Sequence, residues 1–292
     1  MTATAFALVL ASAVLHAFWN FLLKDSRDKT AFFWGMCTLG LVVVAPLGIA
    51  AAAVGGFGWG ALAFGLGTFA LHGVYAVALT RSYADGDLSS VYPVARGMGP
   101  ALVPLLAVIL LDESVSSIAV VGIVLVVIGI YATHIDTRLW RDLSHPARAL
   151  AAPATRLAFL TGAIIACYSL WDKAAIDEDV HPLTVNGFAM AGNVLAMTPV
   201  LLLAAGRETV RSAWRENSRS IAAAAVAAPL GYTLVLIALT TSRVSYIAPA
   251  REVGIVLGAA LGVLLLGEGY GMTRVWGSVL IVGGCITLGL AP

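Results

Sequence analysis

Residues 95–129 read ARGMGPALVPLLAVILLDESVSSIAVVGIVLVVIG, and residues 250–284 read AREVGIVLGAALGVLLLGEGYGMTRVWGSVLIVGG; set side by side at an offset of 155, 15 of the 35 columns are identical without a gap. Apolar helices match one another by chance, so leucines and valines prove little. The identities also include Arg96 with Arg251, Glu113 with Glu268, Gly99 with Gly254, Gly122 with Gly277 and Gly129 with Gly284. Charges and glycines carry the signal. Upstream, with small changes of offset, Ala78-Leu79-Thr80 matches Ala238-Leu239-Thr240, Pro46 matches Pro199, and Trp19-Asn20 matches Trp171-Asp172. The chain is an internal repeat.

The 292 residues are 60% hydrophobic and 11% charged, with a mean hydropathy of +0.93. A soluble chain is about 25% charged, so this one belongs in lipid. A spanning helix needs about 20 mostly apolar residues. Cutting at charged or Gly/Pro-rich punctuation gives ten such stretches, at 3–24, 31–53, 59–82, 88–111, 115–135, 155–176, 183–205, 220–241, 245–267 and 273–291. Unsatisfied backbone groups are costly in hydrocarbon, so these read as helices rather than barrel strands. The expected fold class is all-α integral membrane, with a first five-helix repeat at 1–135, a linker at 136–154 and a second repeat at 155–292. An odd number of spans per repeat gives the copies opposite orientations, the inverted design of many secondary transporters.

The net charge of +1 argues against a nucleic-acid partner. Cys37, Cys167 and Cys285 lie in apolar runs at irregular spacing, which supports neither disulfides nor a metal site, and no cofactor is expected. The first apolar stretch lacks a basic flank and a cleavage signal and is expected to be a retained helix. Thirteen of the 17 basic residues fall in the connections after odd-numbered spans, among them Lys24, Arg27, Arg81, Arg141, Arg211, Arg215 and Arg274. Only Lys173 and Arg243 lie on the other side. The positive-inside rule then places the linker, with its Trp140, in the cytoplasm and both termini outside, in the cell's inner (plasma) membrane.

Charges inside a span cost about 2.5–3.5 kcal/mol each on insertion scales and usually mark a cavity or a partner. Arg96 lies about 12 Å along its span at 1.5 Å per residue, and Arg251 is its repeat counterpart. Both follow prolines, in Tyr92-Pro93-Val94-Ala95-Arg96 and Ala248-Pro249-Ala250-Arg251, and helix breaks at matching points of two repeats point to a binding site. Glu252 is either a proton or cation site or an ion-pair partner. Ser12, His16, Trp19, Asn20 and Lys24 form one face of the first span, and Tyr168, Trp171 and Asp172, followed by Lys173, repeat that pattern in the sixth. His16 either titrates and couples a proton or packs on a carbonyl. Asp172 and Lys173 are expected near an interface, solvated. His72 and Tyr75 share a face of the third span, and Tyr232 occupies the repeat position of His72. Asn186 and Asn193 line a cavity or bond between helices. The candidate substrate-binding set is therefore His16, Trp19, Asn20, His72, Tyr75, Tyr92, Arg96, Tyr168, Trp171, Asp172, Tyr232, Arg251 and Glu252, with His16 and Glu252 as proton-coupling candidates. Glu113 and Glu268, at the ends of matched segments, are expected to be structural anchors. Gly122, Gly129, Gly277, Gly283 and Gly284 are expected to let the fifth and tenth helices approach closely.

No HExxH, phosphate-cradling GxxxxGK(S/T) or nucleophile elbow is present, so an enzyme is not expected. The pieces Leu15-His16-Ala17-Phe18-Trp19-Asn20, Tyr92-Pro93-Val94-Ala95-Arg96-Gly97 and the two segments ending in Glu113 and Glu268 resemble the EamA-type branch of the drug/metabolite transporter superfamily, over nearly the whole chain. The resemblance implies ten helices around a central cavity lined mainly by spans 1, 3, 4, 6, 8 and 9, working by alternating access. Related carriers are usually drawn with cytoplasmic termini, opposite to the charge-based orientation here. The leading reading is a secondary active transporter of a small polar metabolite, an amino acid or similar zwitterion or anion, possible proton coupling included. The alternatives are an exporter of cationic or aromatic drugs and quaternary amines, or a flippase of a lipid-linked headgroup. The partners expected are the solute and the lipid bilayer, and the chain is expected to act as a monomer.

Overall fold

The computed structural model describes residues 1–85, 88–133, 153–204, 206–266 and 271–292, and among them there is helix and no strand. The first five helices are α1 (Ala3–Asp25), α2 (Lys29–Gly55), α3 (Trp59–Asp85), α4 (Leu88–Leu110) and α5 (Ser117–Thr133). They are followed by α6 (Pro153–Asp177), α7 (Pro182–Ala204), α8 (Gly206–Leu239), α9 (Val244–Ala250), α10 (Val253–Leu266) and α11 (Met272–Leu290). Among the described residues, eight helical stretches are long and apolar enough to cross a membrane, one of them, Val244–Leu265, containing the break at Arg251 and Glu252. The described apolar parts of the fourth and fifth helices, Gly97–Leu110 and Ser117–Thr133, are shorter. The protein is a multi-pass membrane protein.

Two features depart from the span list. The ninth span is two helices, α9 and α10, which part at Arg251 and Glu252, just past Pro249, where Glu252 N turns back to the Pro249 carbonyl. The eighth is longer at its start: α8 begins at Gly206 and bends at Asn217 (φ −121°, ψ 17°). The residues before the bend read as a charged loop by composition. They are helical because Ala213 is buried with Ala31 and Leu201, and the Trp214 ring lies against Gly35, while Arg211 and Arg215 point outward.

The chain divides into two compact units that do not coincide with the two repeats. One comprises Met1–Phe6, Ala78–Leu170 and Ser242–Pro292; the other comprises Ala7–Val77 and Trp171–Thr241. Each draws on both halves of the sequence.

In the first unit α5 packs along α11, and α9 packs on α4, α5 and α11. Glycine makes the α5–α11 approach possible. A Cβ at Gly129 would stand 2.7 Å from the Gly277 carbonyl oxygen, and one at Gly284 would stand 2.6 Å from that of Gly122. Gly283, by contrast, faces open space. It does not belong to the contact that the sequence suggested. Half-buried Glu113 anchors the start of α9, its carboxylate accepting from Val244 N (2.8 Å), Ser245 N (3.0 Å) and Ser245 Oγ (2.5 Å). A short helix leaves its first N–H groups without intrahelical partners, and this carboxylate satisfies two of them. Glu113→Ala is expected to destabilise the protein by about 1–3 kcal/mol, read as a lower melting temperature in detergent. A melting curve matching wild type would mean that water replaces the carboxylate at no cost. Glu268 lies outside the described residues, as do the linker's Trp140 and Arg141.

In the second unit α2 packs against α7 and α8, and α7 against α8, around Trp19, Phe32, Met36, Met190, Met197 and Ile221. Asp28 caps α2, accepting from Ala31 N at 2.8 Å. Asn186 of α7 donates to the Pro229 carbonyl and to Thr233 Oγ1 of α8, both at 2.8 Å. It bonds between helices.

Candidate functional site

The densest polar cluster among the described residues lies inside the second unit. Thr68 and His72, four residues apart, share one face of α3. Opposite them, on α6, Asp172 is fully buried. Thr68 Oγ1 donates to Asp172 Oδ1 at 2.5 Å, His72 Nε2 lies 3.0 Å from Oδ2, and the Tyr232 hydroxyl of α8 donates to the same Oδ2. Tyr232 also meets His72 directly: its oxygen is 3.2 Å from Nε2 and the rings cross edge to face at 5.3 Å. Three helices converge on one carboxylate.

Gly67 lets this happen. A Cβ there would overlap the Trp171 indole, so only glycine allows that ring to lie flat on α3, where its Nε1 donates to the Phe64 carbonyl at 2.9 Å. With Trp171 seated, the next residue points at Thr68 and His72. The expectation of a solvated Asp172 is therefore corrected: Trp171 is 38% exposed, while Asp172 beside it is 0% exposed. A carboxylate this deep is tolerable only when donors compensate for lost water. Lys173 does not serve it, being engaged with Asp177 one turn further along α6.

The other candidates of this unit are dispersed. The His16 ring packs edge-on against Trp19 with centroids 4.9 Å apart, and Asn20 Nδ2 donates to the His16 carbonyl at 2.7 Å. Asn20 thus spends an amide hydrogen on its own helix. Tyr75 is half-buried, one turn beyond His72.

The first unit holds a second polar centre at the break between α9 and α10. Glu252 is 3% exposed and Arg251 half-buried. The backbone turns tightly there: Glu252 N donates to the Pro249 carbonyl (3.1 Å), Gly254 N to that of Arg251 (3.1 Å) and Ile255 N to that of Glu252 (2.9 Å). Around it lies a cavity of about 10 Å³, lined by Gly99, Pro100 and Val103 of α4, Ile165 and Ser169 of α6, and Ala248, Arg251 and Glu252. That is room for one water-sized group. Tyr168 is buried next to Ser169 in α6. The side chains of Tyr92 and Arg96 lie outside the described residues.

Thr68 is the participant that sequence reasoning missed. Its only signal is position, one turn before His72 on the same face. No group of three or more His, Cys, Asp or Glu side chains suited to a metal ion occurs among the described residues.

Such pairs of buried charge, one beside a helix break, fit a protein that handles a polar solute within a membrane. A search of curated proteins finds no match. One solved crystal structure is similar over 99% of this chain and 97% of its own, with a TM-score of 0.73 and 18% identity, which is a likeness of fold. Over residues 153–290, a little under half of the chain, the sequence matches the EamA-like transporter family.

Proposed function

We propose that the protein is a secondary active transporter that moves a small polar metabolite, an amino acid or similar zwitterion or anion, by alternating access. The observation that carries this reading is the α9–α10 break, where Arg251 and Glu252 flank a water-sized cavity within the family-matched segment. Interrupted helices leave backbone groups and dipole ends free to meet a charged solute. An arginine can hold a carboxylate by a charge-assisted, bidentate bond, and Glu252 beside it suits an ammonium. Ser169 lines the same cavity, and Arg96 is proposed as the matching arginine of the first repeat on sequence alone.

The proposal includes ten spans in two inverted five-helix repeats, with α9 and α10 together counting as one and α5, at 17 residues, at the short end of what spans a bilayer. It also includes a monomer in the inner membrane with termini outside and the arginine-rich connections in the cytoplasm. A second reading, export of quaternary amines, is favoured by the buried Glu252 carboxylate. The two separate in one experiment: uptake into proteoliposomes of labelled amino acids, sugar phosphates and choline, each with and without a pH gradient. Uptake of amino acids competed by other zwitterions supports the first reading. Choline transport that requires Glu252 but not Arg251 replaces it with the second. Transport of none of these by folded protein sinks both.

A further inference from the structure

We infer that the His72–Asp172 pair, closed by Tyr232 and Thr68, is the site that carries the coupling proton, in place of His16 or Glu252, and that these residues serve the proton and not, as the sequence suggested, the solute. This rests on the transport reading above and names a component of it.

The geometry separates this cluster from a structural hydrogen bond. Thr68 and Tyr232 alone would satisfy Asp172, since an ionised carboxylate only accepts and each oxygen already has a hydroxyl donor. A third contact, from the one side chain whose ordinary titration range spans neutral pH, adds a group that can gain or lose charge. The side chains of His72 and Asp172 are 7% and 1% exposed, so whichever charge state they adopt is held away from bulk water. With imidazolium against carboxylate the pair is neutral; with neutral imidazole it carries one negative charge. Moving a lone buried charge away from water is disfavoured by on the order of 100-fold in population. The proton therefore decides how readily the unit rearranges.

The step balances simply. A proton from water on one side forms an N–H bond at the unprotonated imidazole nitrogen, giving imidazolium; after the change of face that bond breaks and the proton returns to water on the other side. Asp172 stays a carboxylate throughout, and nothing is oxidised or reduced. Tyr232 reports the change because its oxygen contacts both Nε2 and Oδ2. With Nε2 protonated, the hydroxyl donates to the carboxylate. In the neutral tautomer with Nε2 bare, the ring nitrogen competes for that hydrogen; in the one that keeps Nε2–H, proton uptake at Nδ1 turns the bond to Asp172 into a charge-assisted one. Protonation thus alters bonds that tie α3, α6 and α8 together.

Few other ionisable groups surround the pair. On its own helices these include Tyr75 one turn along α3, buried Tyr168 one turn before Asp172 on α6, and Lys173, which is engaged with Asp177. From α8 comes Tyr232. Among the neighbouring helices of this unit, α1 offers His16, packed on Trp19, and Lys24 and Asp25 at its end; α2 has Lys29 at its start and the Cys37 thiol; α7 has none.

The test uses the full chain in liposomes holding a trapped pH dye, with a ¹⁴C-labelled amino-acid mixture as probe. Wild type should acidify or alkalinise the lumen as label moves, and a gradient of about one pH unit should support up to roughly tenfold accumulation per proton. His72→Gln and Asp172→Asn should lose both signals while continuing counterflow of label at equal concentrations inside and out. Asp172→Glu should recover part of the proton signal. His72→Gln guards against misfolding of Asp172→Asn, since it leaves both hydroxyl bonds to the carboxylate in place. Transport by wild type without proton movement overturns the inference and leaves the transport reading intact. So does a folded His72→Gln protein that still accumulates label under the gradient. Loss of counterflow in folded His72→Gln would make the cluster part of the solute site instead, which also overturns it. Absence of counterflow in wild type removes the transport reading, and the proton site with it.

Discussion

Arg251→Gln is expected to lower uptake of a zwitterionic or anionic solute at sub-saturating concentration by about 30-fold or more, while the protein stays folded. Removing one member of a desolvated, hydrogen-bonded charge pair typically costs about 2–5 kcal/mol, because the partner charge is left behind. The pair in the proposed site is the solute's carboxylate and the guanidinium at the α9–α10 break. Arg251→Lys restores the charge without the planar fork and should recover only part of the loss. Initial-rate uptake of the amino-acid mixture in proteoliposomes, normalised to folded protein by gel filtration, checks both. If Arg251→Gln transports as well as wild type, the break is an architectural feature and the solute meets its charge elsewhere.

Gly129→Val should be among the more damaging single changes to stability. Its first added carbon would fall 2.7 Å from the Gly277 carbonyl oxygen and 2.8 Å from both Ile281 N and Cγ1. The oxygen and nitrogen belong to the backbone of α11, which cannot swing aside as a side chain does. Overpacking generally costs about 1–3 kcal/mol, and more when backbone must move; we expect the upper end or beyond, seen as loss of the monodisperse peak or a large drop in melting temperature. Gly283→Ala is the matched control, since nothing lies within 4 Å of its would-be Cβ. Equal effects from the two would mean that helix propensity, and not the α5–α11 contact, governs the outcome.

Much of this was legible in the residues, for identifiable reasons. The glycines of the α5–α11 contact were visible because a repeated small residue amid leucines has few other uses. The neighbourhood of the break at Arg251 could be read from Pro249, two residues before it, since proline marks an irregular helix locally. Glu113 was readable as an anchor, although the groups it anchors, Val244 and Ser245, lie over 130 positions away and leave no mark nearby. Asp172 shows where such reading stops. Counting along a helix gives distance from its end, and by that measure Asp172 belongs near water. Its burial follows from the fit of the Trp171 ring over Gly67, a complementarity between segments about 100 residues apart. Thr68 was overlooked for the same reason, since one threonine in an apolar helix is unremarkable until its partner is known. The helical start of α8 was hidden by its charge, because the apolar minority, Ala213 and Trp214, does the packing.

The interleaving of the two compact units bears on how the chain can be made. Residues 7–77 emerge first from the ribosome, yet the partners that complete their unit, 171–241, follow roughly a hundred residues later. The other unit waits for residue 292. Helices α1 to α3 must therefore reside in the bilayer as inserted but unassembled segments while the middle of the chain is synthesised, with Asp172 not yet available to His72. Contacts of such long sequence separation form slowly, and a chain cut after the first repeat would have neither unit complete. A sequence repeat that looks modular on paper yields, in three dimensions, units that each need segments from both of its halves.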